Sequence, residues 1–320
     1  MCSYFKNLEI VLGKIKSLKI QGASRIEKEA RLALLKDLQK IEHSSEVKEL
    51  KKELIGATLK LWSARPTEPA VRSIIFKFYN IIMQNKSKDT KQLSKQLIDF
   101  LQDVEKEKEE GMKKIGKEFV SLFDKEVVVF THCHSHTVEF GIKELYNNGL
   151  LKYVINTETR PKFQGRITAE NLVKAGIKVK HIVDSAAYSN MDKANVFVSG
   201  CDSILSTGGI VNKIGTTQIS CIAEKFGIPH YVLTHINKFD PMSLYGVEPD
   251  LELRDPKEVW TFKNKNLEVV NYAFDLVPAY LIELFITDKG NFDPYCIGEY
   301  YLEHIKAYKF KEVFDIFNKK

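Results

Sequence analysis

The sequence predicts an α/β protein with two parts. These are a helical N-terminal domain over residues 1–120 and a Rossmann-like domain with a mostly parallel sheet over residues 121–320. Apolar residues recur at helical spacing through the first part, whereas after Lys125 short β-branched and aromatic runs alternate with amphipathic segments. In a sheet of this kind ligands bind outside the carboxyl ends of the strands, so the chemistry is expected there.

The composition is that of an ordinary globular protein, with 44% hydrophobic and 28% charged residues in a chain of 320. No apolar run approaches the roughly 20 residues that a transmembrane helix needs, and the first residues lack the apolar core of a secretory signal. The five cysteines are odd in number and show no C-x-x-C spacing, which indicates a reducing, cytoplasmic location.

The net charge of +6 is unevenly distributed. Residues 1–118 hold 25 Lys and Arg against 17 Asp and Glu, whereas the remainder holds 23 against 25. The excess consists mostly of single charges at helical spacing, which favours a solvated helix surface over a nucleic-acid face. A phosphorylated ligand or an acidic partner also suits it.

The apolar spacing predicts five helices in the first part, over residues 4–20, 24–42, 45–63, 69–84 and 91–119. Ser24 with Glu27 three residues later forms a capping-box pattern at the start of the second helix. In the second part we expect strands over residues 127–130, 153–155, 179–183, 196–198 and 231–233. The helices between them are expected over residues 138–148, 168–175, 186–193 and 213–226.

The stretch 196–216 resembles a loop that holds a phosphorylated molecule. A buried strand ends at Gly200, and the glycines that follow allow the backbone to approach a ligand closely. Asn212, Lys213 and Thr216 supply donors where the helical pattern begins. The stretch does not match the nucleotide-binding pattern G-x-x-x-x-G-K-[ST], so an NTPase is not favoured.

Cys133 follows the first strand and precedes a helix, where free amides lower a thiol pKa. A buried structural cysteine is the equal alternative. His132, His134 and His136 alternate around it, but they lie close along one backbone without an evident partner group, so we expect no metal site.

Polar residues follow the other strands as well. Arg160 offers a planar fork for phosphate or carboxylate, and a structural ion pair between Glu158 and an arginine is the equal alternative. Asp184 is expected to cap a helix. Asp202 is placed to move protons, cap a helix or bind a cation. Lys238 suits a phosphate, but alone it is more simply read as an exposed lysine.

Several ordered segments resemble one superfamily. Thr131–Ser135, Glu158–Pro161 and Asn212–Thr216 are similar to the family that contains ribose-1,5-bisphosphate isomerase, methylthioribose-1-phosphate isomerase and the α, β and δ regulatory subunits of translation initiation factor 2B. The Thr-His-Cys-His-Ser form of the first segment is that of the archaeal bisphosphate isomerases. Further matching segments are Gln164-Gly165, Leu253–Pro256 and Ala273–Asp275.

The resemblance implies roles for particular residues. Cys133 and Asp202 match the catalytic pair of the isomerases, which the regulatory subunits usually lack. The residues implied to line the substrate are Gln21, Gly22, Ala23, Ser24, Arg65, Ser135, His136, Thr137, Asn212, Lys213 and Lys238. Two departures concern the substrate: Gln21 replaces the family's arginine, and Thr207-Gly208 replaces its usual Asn-Gly.

The resemblance further implies conversion of α-D-ribose 1,5-bisphosphate to D-ribulose 1,5-bisphosphate in nucleotide salvage. The reaction would pass through an enediolate, with Cys133 as the base at C2 and Asp202 moving a proton at the sugar oxygens. Neither metal nor organic cofactor is needed, AMP is a candidate activator, and dimers assembling into a hexamer are expected.

Two alternatives stay open at this stage. A non-catalytic regulatory subunit would bind a sugar phosphate or nucleotide and an initiation factor 2 partner, and it would need no cysteine base. An isomerase of another phosphorylated pentose would share the mechanism. The presence of both Cys133 and Asp202 favours an enzyme, whereas Gln21 slightly favours the regulatory subunit.

Overall fold

The computed structural model describes residues 4–17, 19–20, 23–41, 46–64, 69–87, 89–249 and 251–305. The chain divides into two compact units, one of residues up to Glu109 and one of Glu110–Ile305. The helices of the first unit are α1 (Lys6–Lys16), α2 (Ala23–Leu38), α3 (Val47–Ala64), α4 (Pro69–Gln84) and the start of α5 (Thr90–Val120). All five predicted helices are present, with ends shifted by a few residues.

The second unit contains a seven-stranded sheet. Its strands are β1 (Val127–Thr131), β2 (Leu151–Thr157), β3 (Val179–Ile182), β4 (Val196–Ser199), β7 (His230–Thr234), β9 (Leu284–Thr287) and β10 (Gly290–Phe292). The order across the sheet is β10-β9-β7-β4-β1-β2-β3. Only β10 pairs antiparallel, so the predicted α/β class with a mostly parallel sheet is confirmed.

Helices cover both faces of this sheet. They are α6 (His136–Asn147), α7 (Gln164–Lys174), the single turn α8 (Tyr188–Met191) and α9 (Thr216–Lys225), and a further helix, α10 (Ile297–Ile305), follows the last strand. Successive residues of β1 alternate between the two cores: Val129 packs with α6 and α7, and Phe130 packs with α8 and α9. A strand buried on both faces reads as a continuous apolar run, which is why β1 was recognisable from sequence.

A second sheet was not predicted. It contains β5 (Ser203–Ile204), β6 (Ile210–Lys213) and β8 (Phe274–Val277), in the antiparallel order β5-β6-β8. Asn212 and Lys213 therefore lie on a strand, and the helix that was expected to start at residue 213 begins at Thr216. The predicted helix over residues 186–193 is a 3-10 turn, Asp184–Ala186, followed by α8. No helix of the described residues is long and apolar enough to cross a membrane.

Candidate active site

The carboxyl ends of several strands converge closely. A Cβ built on Gly200, which follows β4, would lie 2.7 Å from the hydroxyl oxygen of Ser135, which follows β1. A Cβ on Gly215, which follows β6, would lie 3.3 Å from His132 Nε2. A side chain at Gly200 would collide with Ser135, whereas Gly215 is favoured because its φ angle of 97° is one that side chains rarely adopt. The ends of β1, β4 and β6 thus share one site.

Cys133 occupies this site in an unusual backbone conformation. Its φ angle is 68°, in the left-handed region that non-glycine residues avoid. Two threonines hold it there. The Cys133 N–H donates to Thr159 Oγ1 at 2.9 Å, and Thr168 Oγ1 donates to the Cys133 carbonyl at 2.9 Å. Strain that the surroundings maintain in this way is typical of functional positions.

Burial raises the pKa of the Cys133 thiol to about 11. The charge of Lys213 and a hydrogen bond from the His134 backbone lower this pKa, whereas the charges of Asp202 and Asp184 raise it. Of the two interpretations left open by the sequence, this pKa favours a buried thiol in the free protein, because loss of hydration outweighs the favourable charges. At neutral pH Cys133 is a thiol.

Asp202 and Lys238 are both held near the end of β4. Asp202 is half-buried, and its N–H donates to the Val211 carbonyl at 2.9 Å, which ties the end of β4 to β6. Lys238 Nζ donates to the Cys201 carbonyl at 2.6 Å, and the lysine is only 9% exposed. The alternative of an exposed lysine is wrong: Lys238 is a buried cation next to the residue that precedes Asp202.

Lys213 is also buried, at 8% exposure, with Nζ 4.5 Å from the centre of the Phe274 ring. Asn212 Nδ2 lies 3.1 Å from Thr216 Oγ1, which in turn donates to the Lys213 carbonyl at 2.6 Å. Asp275 Oδ2 accepts from the N–H groups of Gly215 and Thr217, at 2.9 and 3.2 Å. The Asp275 carboxylate thus holds the first turn of α9, and the charge of Lys213 acts on that carboxylate.

The loop after β2 is fixed from β3. Asp184 does not cap a helix as expected; its two carboxylate oxygens accept from the N–H groups of Thr159 and Arg160, at 2.8 and 2.7 Å. Glu158 pairs with Arg166 at 3.2 Å. The Arg160 guanidinium is exposed and lies 3.4 Å from the Val259 carbonyl. Its predicted role in binding stays a prediction.

Ser135 begins α6. Its hydroxyl accepts from the Val138 N–H at 3.4 Å as the helix cap. Thr137 is buried and His136 is exposed. These three residues lie two to four positions after Cys133 in the chain. Their contacts with the substrate remain a prediction.

One group of residues could hold a metal ion among those that the structure describes. His134, His136 and Glu139 each offer a ligand atom, and these atoms lie within 4.8 Å of one another. Sequence reasoning overlooked Glu139, which is one helical turn after His136. Both oxygens of Glu139 are engaged, one by Lys143 at 2.6 Å and one by Asn171 at 2.9 Å.

The remaining predicted residues belong to the first unit. Gln21, Gly22 and Arg65 lie outside the described residues, and Ala23 with Ser24 begins α2. Sequence reasoning missed four residues of the second unit that shape the site: His132 as a positioned side chain, Thr159, Thr168 and Asp275. Thr159 lies two residues beyond Thr157, the last residue of β2. A threonine in such a position looks like an ordinary loop residue, so the sequence offered only a weak signal for it.

A mostly parallel sheet with a thiol, a carboxylate and two buried lysines at its strand ends is typical of an α/β enzyme. The chain belongs to the initiation factor 2 subunit family, whose model matches residues 19–294. The resemblance read from the motifs is confirmed.

Curated relatives place the chain among the isomerases of this family. A protein named ribose 1,5-bisphosphate isomerase from Thermococcus kodakarensis is 34% identical over 294 residues, covering 88% of this chain and 89% of that protein. The protein of the same name from Pyrococcus furiosus is 33% identical over 309 residues, covering 93% and 94%. A 5-deoxyribose 1-phosphate isomerase from Bacillus cereus is 29% identical over 302 residues, covering 89% and 87%. The prediction of an enzyme, an isomerase of this family, is confirmed.

Solved structures share the fold. That of 5-methylthioribose 1-phosphate isomerase from Pyrococcus horikoshii aligns with a TM-score of 0.78 at 23% identity, covering 98% of this chain and 88% of that one. That of translation initiation factor eIF-2B from the same organism aligns with a TM-score of 0.74 at 24% identity, covering 90% and 98%.

Proposed function

We propose that the chain isomerises α-D-ribose 1,5-bisphosphate to D-ribulose 1,5-bisphosphate, with Cys133 and Asp202 as the proton-transfer groups. The observation that carries the proposal is the environment of Cys133. It sits in a left-handed turn held by two threonines, and the charges of both Lys213 and Asp202 reach its sulfur. The names of the relatives supply the substrate.

The two buried lysines support an anionic substrate. Lys213 and Lys238 are each less than one-tenth exposed, and neither forms an ion pair with a carboxylate of the described residues. A buried cation is costly unless negative charge lies near it, and a bound anion would add to the attraction that Lys213 already has to the Asp275 carboxylate. A bisphosphate brings two such anions.

The resting thiol suits the first step, which is ring opening. Because burial raises its pKa to about 11, Cys133 carries a proton at neutral pH and donates it to the ring oxygen as the bond from C1 to that oxygen breaks. The open sugar gains a hydroxyl at C4, and C1 is left electron-poor. The resulting thiolate is stabilised by the charge of Lys213.

The thiolate then serves as the base at C2. It takes the C2 proton, and the electron pair of that bond forms the C1–C2 double bond of an enediol whose O1 carries the phosphate. Asp202 takes the proton of the C2 hydroxyl, C2 becomes the ketone, and the Cys133 thiol returns a proton to C1. The site then holds a thiolate and a protonated Asp202, which exchange one proton with solvent to restore the starting state. Each such group typically contributes about 10² to 10⁴ in rate.

The remaining assignments are part of the same proposal. We assign to Gln21, Gly22, Ala23, Ser24 and Arg65 the substrate-binding role that the family resemblance implies. We assign the sugar and its phosphates to the predicted residues of the second unit: Ser135, His136, Thr137, Arg160, Asn212, Lys213 and Lys238. The proposal includes a homo-oligomer, no required cofactor, and AMP as an activator.

A second candidate comes from the relatives named 5-deoxyribose 1-phosphate isomerase, whose substrate lacks the 5-phosphate. The same thiol and carboxylate would serve that reaction. The second buried lysine favours a second phosphate and therefore the bisphosphate. A regulatory subunit would need neither Cys133 nor Asp202.

A substrate panel tests the proposal. Purified protein is incubated with ribose 1,5-bisphosphate, 5-deoxyribose 1-phosphate and 5-methylthioribose 1-phosphate, and products are identified by ¹³C and ³¹P NMR. We expect ribulose 1,5-bisphosphate, with kcat/KM at least about 100-fold above the monophosphates, since a lost charged contact typically costs ~2–5 kcal/mol. Preference for a monophosphate would overturn the substrate, and no turnover together with pull-down of initiation factor 2 would favour the regulatory subunit.

A further inference from the structure

His132 connects three elements of the site through its ring. It is the residue before Cys133 and is 3% exposed. Its Nδ1 lies 2.5 Å from Thr157 Oγ1 at the end of β2, and its Nε2 lies 3.0 Å from the Ile214 carbonyl oxygen after β6. A Cβ on Gly215 would lie 3.3 Å from Nε2, so the ring packs closely against the turn between β6 and α9.

The partners of His132 determine its protonation. A carbonyl oxygen only accepts, so Nε2 carries the hydrogen that bonds Ile214. Burial is the largest influence on the pKa of His132 and lowers it, so the ring is neutral at pH 7. Asp184, with Oδ1 3.9 Å from Nδ1, raises this pKa, and Lys213 lowers it. The neutral ring therefore accepts the Thr157 hydroxyl proton at Nδ1, and both of its nitrogens are satisfied.

We propose that His132 is a positioning residue, which sets the separation between the Cys133 sulfur and the Lys213 ammonium. One side chain ties the residue before the thiol to the residue after the lysine, so a shift of the β6–α9 turn would need this hydrogen bond to break. The inference rests on the proposed function for the roles of Cys133 and Lys213. His132 is assigned a role through Cys133 and Lys213 and no contact with the substrate.

Two substitutions distinguish the hydrogen bond of His132 to Ile214 from its hydrogen bond to Thr157. His132→Gln places an amide N–H where Nε2 is and keeps the bond to Ile214. His132→Asn places its amide near Nδ1, keeps a partner for Thr157 and loses the bond to Ile214. Both side chains fill part of the space of the His132 ring. If the two variants unfold at comparable temperatures, a difference in their alkylation rates does not come from a difference in folding.

The rate at which iodoacetamide alkylates Cys133, followed by mass spectrometry of its peptide, reports the position of Lys213 without any substrate. Lys213→Met gives the full effect of losing the Lys213 charge. We expect it to slow alkylation of Cys133 by about 3- to 10-fold at pH 9, which corresponds to a rise of up to one unit in the thiol pKa. We expect His132→Asn to slow alkylation in the same direction, His132→Gln to stay within about twofold, and His132→Asn to add nothing in the Lys213→Met background.

Equal rates for His132→Gln and His132→Asn would overturn the inference, as would additive slowing in the double variant. Turnover provides the second readout: KM for the bisphosphate should rise in His132→Asn and not in His132→Gln. Failure of the wild type to turn over any sugar phosphate would remove the proposed function, whereas the alkylation rates would still decide whether His132 positions Lys213.

Discussion

The backbone N–H of Cys133 donates a hydrogen bond to the hydroxyl oxygen of Thr159, and both residues have left-handed backbones, with φ angles of 68° and 62°. Each left-handed non-glycine residue costs about 1–3 kcal/mol and persists only where its surroundings hold it. Asp184 holds Thr159 from β3, and Thr159 holds Cys133. The position of the thiol is therefore maintained by a relay of hydrogen bonds between three strand ends.

Thr159→Val should break this relay while preserving shape. The valine offers no acceptor, so the Cys133 N–H loses its partner, which typically costs about 1–3 kcal/mol of unfolding free energy. We expect kcat to fall by at least about tenfold, because an orphaned N–H relaxes the turn that aims the sulfur. Thr159→Ser keeps the oxygen and should retain both kcat and stability. Urea unfolding and steady-state kinetics of the two variants provide the check, and identical stability and kcat in both would show that the Thr159 hydroxyl does not hold Cys133 in place.

The two charges beside Cys133 should shift its thiol pKa in opposite directions. Asp202 raises this pKa and Lys213 lowers it. In Asp202→Asn the pKa should fall and Cys133 should be alkylated faster at pH 9, whereas in Lys213→Met it should rise and alkylation should slow. In the wild type the rate should increase about tenfold for each pH unit below the thiol pKa of about 11. Changes of the same sign in both variants would contradict this electrostatic arrangement.

Gly200→Ala should displace Ser135. The added Cβ would lie 2.7 Å from the Ser135 hydroxyl oxygen and 2.9 Å from its Cβ, so the cap of α6 must move. A lost cap costs about 0.5–2 kcal/mol, and KM should rise because Ser135 adjoins Cys133. The matched control is Gly56→Ala in α3, where a Cβ meets nothing within 4 Å. It should stabilise the protein by up to about 1 kcal/mol. Equal effects of the two alanines would show that Gly200 has no steric role.

His230 should make the protein sensitive to acid. Burial lowers its pKa to about 3, and its ring nitrogens lie 2.8 Å from Ser199 Oγ and 3.1 Å from Ser220 Oγ. Between pH 6.5 and 3 the unfolded chain binds a proton that the folded one does not, so stability falls as pH falls, by at most about 1.4 kcal/mol per pH unit. His230→Asn should remove this part of the slope in urea unfolding measured from pH 7 to pH 4. Parallel slopes for variant and wild type would contradict it.

Local patterns predicted the parts of the molecule that depend on local sequence. The run Val127–Phe130 is apolar at every position because β1 is buried on both faces, and it was read correctly. The strand β6 was missed because glycines precede it and its last two residues, Asn212 and Lys213, are polar. Its pairing with β8 brings Asn212 opposite Asp275, more than 60 residues later, and no local pattern records such a pairing.

The same limit applies to the site. Cys133 and Asp202 were identified because each follows a recognisable strand and matches a family motif. The bonds from Thr159, Thr168 and Asp184 that fix the loop around Cys133 join different strands and helices, so single residues gave no sign of them. The thiol pKa stayed open for a related reason: burial depends on the whole fold, whereas the helix terminus could be read from neighbouring residues.

The most direct test of the central claim compares wild type with Cys133→Ser in the conversion of ribose 1,5-bisphosphate to ribulose 1,5-bisphosphate. Serine keeps the size and the hydrogen-bonded turn but is a far weaker acid than the thiol, so it can neither supply the first proton nor become the base at C2. We expect product with the wild type and a kcat lower by at least about 100-fold with Cys133→Ser, at unchanged unfolding temperature. Undiminished turnover by Cys133→Ser, or no ribulose 1,5-bisphosphate from the wild type, would contradict it.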